Sequence, residues 1–143
     1  MKRILVAFDG SEGARRAVAF AAELAHGSES ELTILTVIDG TADEQLNRYG
    51  RIERATISEL QENEARALVA RARSDVEKQG ASNVKVKTEM GDAAEVILDT
   101  AKTSQSDLIV VGKRGRGQLQ GLLLGSVSQK LVSLAQCPIA VIP

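Results

Sequence analysis

The sequence predicts an α/β protein: one doubly wound, five-stranded parallel sheet in the order 3-2-1-4-5, with helices on both faces. Three observations carry this expectation. Short apolar runs alternate with longer segments of helical period, the pattern of a parallel sheet built through right-handed crossovers. Two of the runs, Ile4–Phe8 and Leu108–Val111, are apolar without a break, as in strands buried on both faces. A third, Val84–Met90, alternates Val84 and Val86 with Lys85 and Lys87, as on a sheet edge guarded against pairing. The first and fourth strands therefore belong at the centre and the third at an edge.

Each element has a local reason. After the opening strand, Ser11 caps a helix whose Ala14, Ala17, Val18, Ala21 and Leu24 share one face, and Gly27 is expected to end it. Leu32–Ile38 is the second strand. From Asp39 to Thr56 the chain is polar without a clear period, which suits a connector or a partner-recognition segment. Ser58-x-x-Gln61 reads as a capping box opening a helix with Leu60, Leu68, Val69, Ala72 and Val76 inward, closed by Gly80. Asp92-x-x-Glu95 then starts a helix carrying Ala94, Ile97, Leu98 and Ala101 at i, i+3, i+4 and i+7. A glycine-rich stretch from Gly112 to Leu124 leads into a helix near Gly125-Ser126, with Val127, Leu131 and Leu134 inward, and Pro138–Ile142 is the last strand. No internal repeat or linker is apparent, so residues 1–143 read as one domain.

Composition excludes several function classes. Aromatic residues are confined to Phe8, Phe20 and Tyr49, too few for a base-stacking surface that would hold RNA or single-stranded DNA. The net charge of −1 gives no field that would gather nucleic acid or an anionic membrane. The lone Cys137 cannot form an intrachain disulfide, which fits a reducing compartment, and with one His a zinc site is not expected. The apolar opening is too short for a signal peptide or a membrane span, so the expected location is the cytoplasm.

In open α/β sheets, ligands bind at the carboxyl ends of the strands beside the switch in strand order. Here that places Asp9-Gly10-Ser11 and the Gly112–Leu124 stretch side by side. Glycines let a backbone approach a phosphate closely, and Gly125-Ser126 offers the N–H groups of a helix N-terminus. The stretch is not a Walker A loop, because no Gly-Lys-Ser/Thr opens the helix. Nor is it a dinucleotide fingerprint, which would need glycine at Gln120.

The spacing is instead Gly112-x2-Gly115-x9-Gly125-Ser126, which resembles the G-x2-G-x9-G-(S/T) pattern of the ATP-binding branch of the universal stress protein family. The likeness spans nearly the whole chain. Val6-Ala7-Phe8-Asp9-Gly10-Ser11 looks like that family's opening strand and loop, Asp107-Leu108-Ile109-Val110-Val111-Gly112 like its fourth strand, and Cys137-Pro138-Ile139-Ala140-Val141 like its last. The resemblance implies that Gly115, Gly125 and Ser126, with Val127 and Ser128, hold phosphates, and that Gly112 lines the ribose and phosphate side. It implies that Ala7 and Asp9 stand at the nucleotide, Asp9 near the phosphates through a divalent cation. It also implies that Val37 and Met90 flank the adenine. Lys113 and Arg114 are placed to neutralise phosphate, although Lys113 stands where relatives often carry a small hydroxyl residue. Arg116 is read as a solvated base.

The ligand so implied is ATP, with ADP and AMP as alternatives and Mg²⁺ as companion. The implied protein is a homodimer with a role in stress survival and an unidentified protein partner. Pairing through strand 138–142 has its own physical case, since an apolar edge strand without lysine is covered by its twofold mate. Two other readings stand beside this one: a slow Mg²⁺-dependent ATP hydrolase, and a ligand-free structural dimer. No residue is assigned a catalytic role, because no nucleophile–base pair is evident in the sequence. His26 is read as a surface residue near a helix end and Cys137 as inert.

Overall fold

The computed structural model describes residues 2–39, 51–113 and 124–143, with the side chains of residues 51–57 excepted. The elements are β1 (Arg3–Ala7), α1 (Glu12–Ser28), β2 (Glu31–Asp39), α2 (Arg51–Lys78) and β3 (Val84–Gly91), followed by α3 (Ala93–Thr103), β4 (Leu108–Gly112), α4 (Ser126–Leu134) and β5 (Ile139–Ile142). The strands form one all-parallel sheet in the order β3-β2-β1-β4-β5, as the sequence predicts. Central β1 pairs Ile4 with Leu32 on one side and with Leu108 on the other.

Side chains alternate across the sheet, so each strand feeds two cores. Ile4, Val6, Ile34 and Val110 face α1 and α2, whereas Leu5, Leu35 and Ile109 face α3 and α4. Burying each such side chain is worth about 1.5–3 kcal/mol. The central strands therefore hold the frame that positions the loops at their carboxyl ends.

The starts of α1 and α3 follow the sequence closely. The Ser11 side chain accepts from Ala14 N–H, and the Asp92 side chain accepts from Glu95 N–H. The helix ends bring a correction. Gly27 lies inside α1, which runs on to Ser28, and Glu29 takes the left-handed conformation at φ 53°. Ser30 N–H then reaches back to the Ala25 carbonyl at 3.0 Å. The same closure recurs at two of the other three helix-to-strand turns. Ala81 N–H reaches Val76 across Gly80 (φ 103°), and Ser106 N–H reaches Ala101 across Gln105 (φ 52°). All three are Schellman turns.

Two of these turns share a short repeat that was not apparent from the sequence alone. Ala25-His26-Gly27-Ser28-Glu29-Ser30-Glu31-Leu32 parallels Ala101-Lys102-Thr103-Ser104-Gln105-Ser106-Asp107-Leu108. In each, the first serine hydroxyl donates to the carbonyl four residues back and pairs with the second serine hydroxyl. The acidic residue that follows ties the turn to a neighbouring strand. Glu31 meets Lys85 Nζ at 3.1 Å, and Asp107 accepts from the N–H groups of Lys2 and Arg3, each at 2.9 Å. Those backbone donors hold the Asp107 carboxyl below its ordinary range.

Two further expectations change. α2 begins at Arg51, well before Ser58, so the capping-box reading is replaced by a longer helix. Its opening residues (Arg51, Glu53, Arg54, Ala55) form helix readily without an apolar period. Leu60 and Leu134 are 61% and 63% exposed rather than inward. Leu60 lies off the buried row Ala65, Val69, Ala72 and Val76, and Leu134 closes α4 beside the outermost strand β5. Among the described residues, no helix is long and apolar enough to cross a membrane.

A Cβ on Gly27 would meet nothing within 4 Å. Gly27→Ala should therefore raise stability by about 1 kcal/mol through helix propensity. Relieving the left-handed strain with Glu29→Gly should add up to about 1 kcal/mol, less the entropy that glycine returns to the unfolded chain. Thermal or urea melts of the two variants check this, and a loss of stability in either would contradict the turn geometry.

Candidate functional site

A cleft of about 660 Å³ opens at the carboxyl ends of the strands, within the ~300–1,000 Å³ typical of small-molecule sites. It exists because β1 stops short while β2 runs on. β1 ends at Ala7, where Phe8 N–H donates to the Leu35 carbonyl at 2.8 Å. The Phe8 carbonyl is taken by the buried Thr36 hydroxyl at 2.9 Å. β2 continues past that point to Asp39.

The consequence falls on Val37. Along a parallel strand, successive residues direct their backbone hydrogen bonds to opposite neighbours. Leu32 N–H bonds toward β3, at Asn83, and the Leu35 carbonyl bonds toward β1, at Phe8. Val37 has the parity of Leu35, so its N–H and C=O face the β1 side just beyond the end of β1. They look into the cleft.

The β1–α1 loop forms the near wall. Gly10 adopts φ 84°, a turn that glycine makes without strain. Asp9 Oδ1 accepts from Ser11 N–H at 2.9 Å, so part of this carboxylate's capacity is spent on holding the turn. Among the described residues no group of three or more His, Cys, Asp or Glu gathers as a metal cluster.

Gly112 has a reason to be glycine that the sequence did not disclose. A Cβ there would lie 2.8 Å from the Gly13 carbonyl carbon and 3.1 Å from Ala14 N. The end of β4 is pressed against the backbone of the first turn of α1. This contact brings the two loops of the switch point together.

The far wall is the start of α4. Gly125 is its N-cap and provides no side-chain hydrogen bond, unlike Ser11 on α1 and Asp92 on α3. Among the described residues, the opening N–H groups of α4 are thus not capped by an N-cap side chain. Gly125 is buried and Ser126 exposed. The Gly125 N–H donates to the Lys113 carbonyl at 2.9 Å, and Lys113 N–H donates to Ile142 at 2.7 Å.

Of the residues expected at the site, the cleft gathers Ala7, Asp9 and Val37 from one side with Gly112, Gly125 and Ser126 from the other. Val127 and Ser128 also line it. Met90 does not: it pairs in register with Ile38 on the edge strand, 44% exposed, with β2 between it and the switch point. Lys113 contributes backbone bonds beside the cleft without lining it. Arg114, Gly115 and Arg116 lie outside the described residues.

Sequence reasoning missed a third wall, made by Gln61, Glu64, Ala65 and Leu68 of α2. The spacing of Gln61, Ala65 and Leu68, one helical face, was the available signal. It was obscured because Gln61 was assigned to a helix cap. Cys137 is half-buried, and its thiol is pushed up by desolvation and then by the charge of Asp107, so it stays protonated at neutral pH.

An open, doubly wound α/β sheet with a cleft at its switch point belongs to the class of architectures that bind ligands outside the carboxyl ends of their strands. The sequence profile described as the universal stress protein family matches residues 1–143, and the chain belongs to that family. A universal stress protein of Thermus aquaticus is 36% identical over 149 aligned positions, covering 99% of this chain and 98% of the relative. The solved structure of hypothetical protein MJ0577 superimposes with a TM-score of 0.78 at 25% identity, covering 99% and 94% of the two chains. The universal stress protein from Archaeoglobus fulgidus in complex with dAMP shares the fold, with a TM-score of 0.70 at 22% identity and 100% and 98% coverage.

Because the Gly112 contact is backbone against backbone, Gly112→Ala should cost about 1–3 kcal/mol, the usual range for forced overpacking. A denaturant melt of the ligand-free protein reads this directly. Unchanged stability would mean that the β4–α1 approach is looser than described.

Proposed function

We propose that the protein binds an adenine nucleotide, ATP in the first instance, and acts as a nucleotide-dependent regulatory module in the stress response. The observation that carries this reading is the uncapped N-terminus of α4. Gly125, as N-cap, offers the helix's first N–H groups no side-chain acceptor of its own, and a phosphate is the acceptor such a terminus favours. Across the same cleft, the Val37 backbone offers one donor and one acceptor, suited to the edge of an adenine ring. That a neighbour of the same fold was crystallised with dAMP agrees with this choice of base.

The energetics are within reach. Micromolar affinity requires about −8 kcal/mol. Two or three hydrogen bonds to charged phosphate give roughly 1.5–3 kcal/mol each, and base burial supplies the remainder against the entropy of association. Mg²⁺ is commonly held by phosphate oxygens plus one or two carboxylates, and Asp9 on the cleft wall is the carboxylate that would meet it. The ion would offset charge on the phosphates.

A thermal melt with and without millimolar Mg-ATP, with GTP as control, tests the nucleotide reading. At 100 times the dissociation constant, binding adds about 2.7 kcal/mol, a shift of several degrees. A shift with ATP and none with GTP is the expected result. No shift, in protein freed of any co-purified nucleotide, would leave the ligand-free dimer as the better description.

The dimer reading rests on the β5 edge. Ile139, Ala140, Val141 and Ile142 are all half-buried at the rim of the sheet, and Val132 and Leu134 of α4 stand exposed at 55% and 63%. Pairing two copies through β5 would cover this apolar margin. Sedimentation should find a wild-type dimer and a monomeric Val141→Lys variant; a monomeric wild type at high concentration would refute the pairing.

A further inference from the structure

Two serines open α4, and the structure separates their roles. Ser126 is exposed at the first helical position. Ser128 is 3% exposed, and its hydroxyl is directed at backbone carbonyls, Lys113 O at 2.9 Å and Gly125 O at 3.1 Å. A serine hydroxyl has a single proton to donate, and here both nearby acceptors belong to the chain. The Lys113 carbonyl is the nearer of the two, and Gly125 N–H and Ser128 Oγ converge on it, both at 2.9 Å. Through Lys113 N–H and Ile142 the same residue is tied to β5.

We propose that Ser128 is a positioning residue rather than a phosphate ligand: it locks the N-terminus of α4 to the end of β4, so that the opening N–H groups of the helix are aimed into the cleft before any ligand arrives. This inference rests on the nucleotide reading above and revises the phosphate-holding role that family resemblance implies for Ser128. The physical logic is preorganisation. A helix terminus held by one backbone bond can pivot, and each degree of freedom left to be frozen on binding weakens the complex. A second bond to the same carbonyl, made from one turn further into the helix, fixes its direction as well as its place. The buried setting strengthens that bond, because water does not compete for the hydroxyl. The adenine end of the cleft, built on β2, is untouched by this lock.

The test compares Ser128→Ala with wild type in two ways. Calorimetric titration with ATP and with adenosine separates phosphate-dependent from base-dependent affinity. Amide hydrogen exchange in the nucleotide-free protein reports whether Gly125 N–H is still held. Ser128→Ala should weaken ATP about five- to tenfold, as for one hydrogen bond, and leave adenosine within about twofold. It should also speed exchange at Gly125 without ligand present. A loss shared equally by ATP and adenosine would make Ser128 an ordinary packing residue and overturn the proposal. An ATP-selective loss with Gly125 exchange unchanged would overturn it too, by making Ser128 a direct phosphate contact. If the wild type bound neither ATP nor adenosine, the nucleotide reading itself would fail, whereas the exchange arm needs no ligand. Should the alanine variant not fold, Ser128→Cys keeps nearly the same size with a weaker donor and is read the same way.

Discussion

The approach of β4 to the first turn of α1 is the constraint on which the rest of the site depends. At 2.8 Å from a hypothetical Cβ to the Gly13 carbonyl carbon, any residue but glycine at position 112 forces the backbone to shift. This contact draws the Asp9–Ser11 turn and the start of α4 to opposite walls of one cleft. It also orders the consequences. β1 ends early beneath the contact, β2 runs on past it, and the Val37 backbone is left facing open space. The cleft is therefore a product of strand length and close packing, with few side chains needed to shape it.

A similar economy governs the opposite end of the sheet. Three helix-to-strand turns use one hydrogen-bond pattern, and two of them use almost one sequence. Only one of the three carries the glycine that the left-handed conformation favours. Glu29 and Gln105 hold it instead, at φ 53° and 52°, each flanked by a bonded serine pair. The serine hydroxyls tether the helix end and help to hold the strained residue in place.

How far the sequence reached follows from the kind of signal involved. Strand order was legible because it rests on unbroken apolar runs at Ile4–Phe8 and Leu108–Val111 and on the lysines of β3, which report burial directly. Ser11 and Asp92 were legible as caps because capping is a local bargain between one side chain and the backbone beside it. Gly27 misled because a glycine near a helix end is ambiguous, and the residue that turns the chain, Glu29, carries no mark of doing so. The α2 wall was hidden because a plausible cap at Ser58 drew attention from the face shared by Gln61, Ala65 and Leu68. Met90 was placed at the ligand by resemblance, whereas the topology sets a whole strand between it and the switch point. The two meanings of Gly112, room for a ligand and room for a helix, look identical in one dimension.

Asp107 grips the backbone of Lys2 and Arg3 across separations of 105 and 104 residues, and β4 pairs with β1 over a similar stretch. On a ribosome adding roughly 5–20 residues per second, the β4-facing edge of β1 waits about 5–20 s for its partner. During that interval β1, α1 and β2 can associate, but their most apolar strand keeps one flank open. The arrangement that gives the finished protein its central strand thus makes the nascent chain most vulnerable to pairing with a neighbour, and commits the cleft to being among the last parts of the molecule to form.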